Sequence, residues 1–151
     1  MYARGFVAGA ALLAAIAQAP SSGAQDRPPA VTVYKSATCG CCSKWIDHLR
    51  ANGFTVSALD VDDVESIKAQ YGVPARAGSC HTALVDGYVV EGHVPADSVK
   101  RLLAEKPKIA GIAVPGMPLG SPGMEVPSGR VDRYDVLAFD RSGAVTVFER
   151  R

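Results

Sequence analysis

Apolar residues group along this chain into runs that predict its elements. VTVYK (31–35) is a β-rich run and reads as a strand. In CSKWIDHLRANG (42–53), Cys42, Trp45, Ile46 and Leu49 fall at i, i+3, i+4 and i+7, one face of a helix, and Gly53 stands in the usual C-terminal position. FTVSALDV (54–61) reads as a second strand, and DDVESIKAQYG (62–72) as a short helix that starts on acidic residues and stops at Gly72. TALVDGYVVEG (82–92) is two apolar runs joined by Asp86-Gly87, a strong hairpin signal. PADSVKRLLAEK (95–106) opens with Pro95 in a first helical turn and carries Val99, Leu102 and Leu103 on one side. PKIAGIAVPGMPLGSPGMEVPSGR (107–130) is rich in Pro and Gly and reads as a long irregular loop, the kind of segment that is functional when it occurs in a compact domain. A second hairpin, YDVLAFD-RSGA-VTVFE, spans 134–149.

The expected order is therefore β-α-β-α-β-β-α, with the loop and the last hairpin as an extension. A length of 151 residues suits one domain with a real core, assigned here to 31–151. Ahead of it the chain opens with Arg4 and an apolar, alanine-rich run from Gly5 to Ala19, short of the roughly 20 residues a span needs. Residues 1–24 read as a secretory signal peptide cut after Ala24, with an uncleaved anchor as the alternative, and 25–30 as a flexible leader. The expected location is periplasmic, with no membrane contact in the mature form.

Charge adds little. The chain carries 16 basic and 15 acidic residues, and loss of Arg4 with the signal peptide balances them. No basic run is interleaved with aromatics, which argues against nucleic acid as a partner. Asp60, Asp62, Asp63 and Glu65 read as a solvated strand end and helix start.

The cysteines change the picture. Cys39, Cys41 and Cys42 crowd the turn between the first strand and the first helix, in SATCGCCSKW. A C-x-x-C at that point of a βαβ pattern indicates a thioredoxin-like fold. Backbone N–H groups and the helix dipole favour thiolate there, which serves a nucleophile and a metal ligand equally. Adjacent α-carbons are about 3.8 Å apart across a trans peptide, below the roughly 4.4–6.8 Å of unstrained disulfides. A Cys41–Cys42 bridge is therefore strained, and Cys39–Cys41 closes a tight loop. Cys39–Cys42 is the comfortable pair and leaves Cys41 free, open to scrambling in an oxidising compartment. A metal site uses all the sulfurs together. The fourth, Cys80, lies in AGSCHTALVDG. In thioredoxin-like proteins a proline, usually cis, precedes this hairpin strand; here His81 takes its place, and Cys80 should reach the cluster from the facing loop.

YKSATCGCCSKW, GSCHTALVDGYVVEGHVP and AVPGMPLGSPGME together resemble the CopG-type periplasmic copper proteins, over about residues 31–130. The resemblance implies a thioredoxin-like fold and a thiolate-bound, multinuclear Cu(I) site for copper resistance, on a C-x-C-C motif at Cys39, Cys41 and Cys42 with Cys80 as its partner. Donor chemistry agrees, since soft thiolate and thioether ligands select Cu(I), zinc or iron–sulfur clusters. Zinc remains an alternative, although these cysteines split three and one rather than into two pairs. Redox change of the copper belongs within this reading, and another periplasmic copper carrier or an exporter is the expected partner.

Of the remaining candidates, His81 and His93 read as ligands or as supports of ligands, with a satisfied loop histidine the plain alternative for His93. Met117 and Met124, both in the Pro/Gly segment, read as core filler or as a lid with weak thioether donors. His48 reads as a surface residue and Trp45 as core. The favoured function is copper binding rather than catalysis; the alternative is a thiol–disulfide oxidoreductase using Cys39 and Cys42.

Overall fold

A computed structural model describes residues 28–151, as a single α/β sheet with helices on its two faces. The signal-peptide reading of 1–24, and the leader as far as residue 27, lie outside the described residues. Within the stretch read as a leader, Ala30 already belongs to the first strand and the Pro29 carbonyl accepts the Thr55 N–H at 3.0 Å.

In chain order the elements are β1 Ala30–Lys35, α1 Gly40–Ala51, β2 Thr55–Asp60, α2 Val64–Gln70, a 3-10 turn Ala75–Ala77, β3 His81–Val85, β4 Tyr88–Gly92, α3 Ala96–Glu105, β5 Gly111–Val114, β6 Asp135–Phe139 and β7 Val145–Arg150. The first seven regular elements follow the expected β-α-β-α-β-β-α order. Strands lie in the order β2-β1-β3-β4-β5-β6-β7. β1 pairs parallel with β2 and antiparallel with β3, so the first strand–helix–strand unit forms one edge and the hairpin continues the sheet.

Local chemistry explains the joints. Asp86 and Gly87 both adopt positive φ, 47° and 82°, the requirement of a two-residue turn whose twist matches the strands. Asp63 caps α2 by accepting the Ser66 N–H at 3.0 Å. The buried residues of α1 are Cys42, Trp45, Ile46 and Leu49, the four named by the helical period. With Val99 and Leu102 of α3 they cover one face of the sheet, against Val33, Val90, Ile112 and Val136. A smaller cluster of Ala77, Val89, Ala113 and Phe139 lies on the opposite face, flanked by Tyr71 and Val73 at the end of α2.

One expectation is corrected. The segment 107–130 is not irregular throughout, because Gly111–Val114 forms the fully buried strand β5 between β4 and β6. Gly-Ile-Ala-Val is too short to show a period, and its strand state comes from neighbours on both sides. The last hairpin extends the sheet as β6 and β7. No helix among the described residues is long and apolar enough to cross a membrane.

Candidate metal centre

The C-terminal end of β1, the start of α1, the start of β3 and the end of β4 meet at one pole of the sheet. Cys39 is the residue before α1, held by its N–H to the Ser36 carbonyl at 3.1 Å, and its own carbonyl accepts the Ser43 N–H. Gly40 opens the helix, so Cys41 and Cys42 fall in its first turn, Cys42 inward and Cys41 partly exposed. Cys80 arrives from the residue before β3. The four Sγ atoms all lie within 4.8 Å of one another. Cys39 and Cys42 form a disulfide with a Cα–Cα distance of 5.3 Å, within the unstrained range. Cys41 and Cys80 are free thiols, one at each end of that bond: Cys41 Sγ is 3.6 Å from Cys39 Sγ, and Cys80 Sγ is 3.5 Å from Cys42 Sγ. Burial, followed by the neighbouring Cys41, pushes the Cys80 thiol up to about 12, so it is protonated at neutral pH.

Both buried histidines face the same sulfur. His93 Nδ1 donates to the Pro122 carbonyl at 2.8 Å, which leaves Nε2 of the neutral ring as a lone pair 3.0 Å from Cys80 Sγ. His81 Nδ1 lies 3.4 Å from the same sulfur, and its Nε2 is buried without a hydrogen-bond partner. The His81 ring packs 4.4 Å from Trp45 and edge-on to His93 at 5.2 Å, centroid to centroid. Burial and the adjacent His93 take His81 down to about 3, and burial lowers His93 as well. Both rings are thus neutral electron-pair donors at neutral pH. The ligating atoms of Cys80, His81 and His93 form a second group within 4.8 Å. A cluster of soft sulfurs with two neutral imidazoles against one of them suits a soft metal ion.

The Pro/Gly segment closes over this pole. Met124 N–H bonds to the Ser121 carbonyl at 2.8 Å, forming a turn with Pro122 and Gly123 at its centre. Gly123 has φ +88°, and a Cβ there would sit 2.7 Å from the Cys41 carbonyl oxygen and 2.9 Å from the Trp45 nitrogen. The turn therefore rests on the backbone of the cysteine helix. Its approach is made by Pro122 and Gly123; Met124 follows them, partly buried, and Met117 is 51 % exposed.

The sequence profile of a family described as "Protein of unknown function, DUF411" matches residues 77–124, a stretch that includes Cys80, His81, His93, Met117 and Met124. No curated protein matches. Among solved structures, two named copper resistance protein CopG, forms 2 and 1, are each 48 % identical to this chain. Their TM-scores are 0.78 and 0.77, and each alignment covers 82 % of this chain and 98 % of the relative. The chain belongs to the CopG family.

In this CopG-family protein the cysteine cluster fits copper binding by its donor chemistry. Several residues around it escaped the sequence reading. Glu91 of β4 is fully buried, where burial raises its carboxyl; Oε1 accepts the Ser79 N–H at 2.7 Å and Oε2 the Thr82 hydroxyl at 2.6 Å. Lys68 of α2, also buried, is its counter-charge, with Nζ 3.5 Å from Glu91 Oε1. The available signal was one acidic residue inside the apolar run VVEG. His48 is not a plain surface residue: it is half-buried, and its Nε2 accepts the Ala96 N–H at 3.1 Å, which ties α1 to the start of α3.

Proposed function

We propose that this protein is an exported, periplasmic copper-binding protein. It holds Cu(I) as a multinuclear thiolate cluster on Cys39, Cys41, Cys42 and Cys80, in copper resistance or homeostasis. The observation that carries the reading is the convergence of four sulfurs from two distant segments within 4.8 Å. A lone tetrahedral ion needs no adjacent pair such as Cys41 and Cys42. Adjacent thiolates do suit sulfur bridges between low-coordinate Cu(I) ions. His81 and His93 supply nitrogen donors on the Cys80 side, and the segment carrying Met117 and Met124 covers the cluster. Loading starts from the dithiol: an external two-electron reductant such as a small dithiol opens the Cys39–Cys42 disulfide and is itself oxidised to its disulfide, and copper then displaces the thiol protons.

Thiol–disulfide exchange through Cys39 and Cys42 is the second reading, favoured by the disulfide itself. Against it stand two extra thiols and His81 at the position from which a redox partner would be handled.

Anaerobic Cu(I) titration of the reduced protein separates the two readings. Copper binding should exceed one equivalent, and each Cys→Ser change should lower the capacity. Cys41→Ser is the deciding variant, because undiminished binding by it removes the reason for the third thiol. Efficient reduction of a generic protein disulfide, lost in Cys39→Ser, would put the exchange reading first. The mass of the exported protein tests the cut after Ala24.

A further inference from the structure

His81 is the first residue of β3, paired with Lys35 of β1, while Cys80 lies just outside the ladder, where the chain leaves the 3-10 turn. The residue before the pair, Ser79, and the residue after it, Thr82, are both bonded to one carboxylate. Glu91 Oε1 accepts the Ser79 N–H at 2.7 Å and Oε2 accepts the Thr82 hydroxyl at 2.6 Å. Glu91 itself is placed by the ladder, where β4 sits between β3 and β5 and Glu91 pairs with Thr82 on one side and Ala113 on the other. Its exposure is 0 %. The adjacent Gly92, at φ +71°, has no room for a side chain, because a Cβ there would run into Ser79 and sit 2.6 Å from the Val114 carbonyl oxygen. Ser79 in turn donates its hydroxyl to the Gly116 carbonyl, and Gly116 N–H bonds to Gly78. The carboxylate thus lies at the root of both the Cys80 loop and the covering segment.

A buried carboxylate and lysine are a poor way to add stability, since an apolar pair of similar volume commonly does as well or better. Lys68 Nζ makes no hydrogen bond, and its contacts are charge contacts to Glu91 at 3.5 Å and Glu65 at 3.7 Å. The arrangement has a use if its product is geometry. We propose that Glu91 is a positioning residue of the metal centre: by bracketing Cys80 and His81 between two hydrogen bonds, it sets the sulfur and ring nitrogen at the distances a metal ion requires. Lys68, buried on α2 with Nζ 3.5 Å from Glu91 Oε1, is the charge partner on the other side of the carboxylate. This inference rests on the copper reading.

The test uses the full mature chain and Cu(I) as probe, with Glu91→Leu, Glu91→Gln and Thr82→Val. Glu91→Leu removes both brackets. Thr82→Val removes one and keeps the shape, so it remains informative if Glu91→Leu does not fold. Glu91→Gln retains an acceptor for the Ser79 N–H and should rescue in part. Outer partners of metal ligands are worth about 10- to 100-fold in affinity. Copper transfer to a competing Cu(I) chelator should accelerate by about that factor in Glu91→Leu and by less in Thr82→Val. In the metal-free protein, Cys80 should be alkylated faster in the same order, a readout that needs no copper. Variants that melt lower yet release copper and alkylate Cys80 as wild type does would reduce Glu91 to a structural role and overturn the inference. Wild type that binds no Cu(I) would sink the copper reading instead, and the alkylation series would still decide whether Glu91 positions Cys80.

Discussion

Replacing Gly123 by alanine should lift the Pro122–Gly123 turn off the cysteine helix without unfolding the domain. Two costs follow from the geometry. At φ +88° a residue with a Cβ is strained by about 1–2 kcal/mol. The new methyl group also meets the Cys41 carbonyl and the Trp45 nitrogen at 2.7 and 2.9 Å, and overpacking of that kind costs about 1–3 kcal/mol. What holds the turn down includes the bond from His93 Nδ1 to the Pro122 carbonyl, worth about 1 kcal/mol net. Strain therefore exceeds that bond, and detachment is the cheaper response. The right comparison is Gly129→Ala. Gly129 also has a positive φ, 69°, but a Cβ there meets nothing within 4 Å. It carries the conformational cost alone, and the difference between the variants isolates the contact. Iodoacetamide labelling of metal-free protein with the Cys39–Cys42 bond intact reads the outcome, because Cys41 and Cys80 are then the free thiols. Labelling should accelerate in Gly123→Ala and stay at the wild-type rate in Gly129→Ala, with limited proteolysis cutting near residue 123 only in the former. Equal melting temperatures and equal labelling in the two variants would refute the reasoning.

Two further outcomes are expected. His48 accepts the Ala96 N–H as a neutral ring, and desolvation lowers its pKa below the ordinary 6.5. The unfolded chain thus binds the proton first, so stability is full above about pH 6.5 and falls as pH drops toward the folded value. His81 and His93 act in the same direction. His48→Leu should remove one proton's share of the slope, at most about 1.4 kcal/mol per pH unit, in urea midpoints measured from pH 5 to 7.5; an unchanged slope contradicts the assignment. Trp45 is the one tryptophan of the chain, and its indole N–H bonds to the Val94 carbonyl at 2.8 Å. Trp45→Phe should cost about 1–3 kcal/mol in chemical denaturation by orphaning that buried carbonyl, and wild-type fluorescence should change on Cu(I) addition through the His81 ring beside it.

Which parts were legible in the sequence follows from how local their causes are. The buried face of α1 was readable because four apolar positions repeat at the helical period, and the β3–β4 turn because Asp86-Gly87 suits positive φ. β5 was not, since four residues carry no period. Its state depends on pairing with β4 and β6 and on Gly111, where a Cβ would meet Phe139 at 2.8 Å. At the candidate site, three cysteines announce themselves by adjacency, and Cys80 by its place ahead of the hairpin. The direction of His93 depends on the Pro122 carbonyl, 29 residues away, and the charge partner of Glu91 is Lys68, from the helix α2. Neither relation leaves a trace in local spacing.

The strand directions also decide how this molecule is best held. β1 runs from Ala30 toward the cysteines, so its first residue lies at the far pole, about 17 Å from its last for six extended residues. β7 runs the same way as β1 across the sheet, because Arg150 pairs with Asp135 at the start of β6, on the cysteine side. A fusion partner, affinity tag or surface linkage joined ahead of Ala30 therefore leaves the sulfur rim facing outward. The same attachment after Arg151 emerges on the rim side, three strands from β4 and about 14 Å along the hydrogen-bonding direction. Copper exchange measured on an immobilised protein will depend on which end was used.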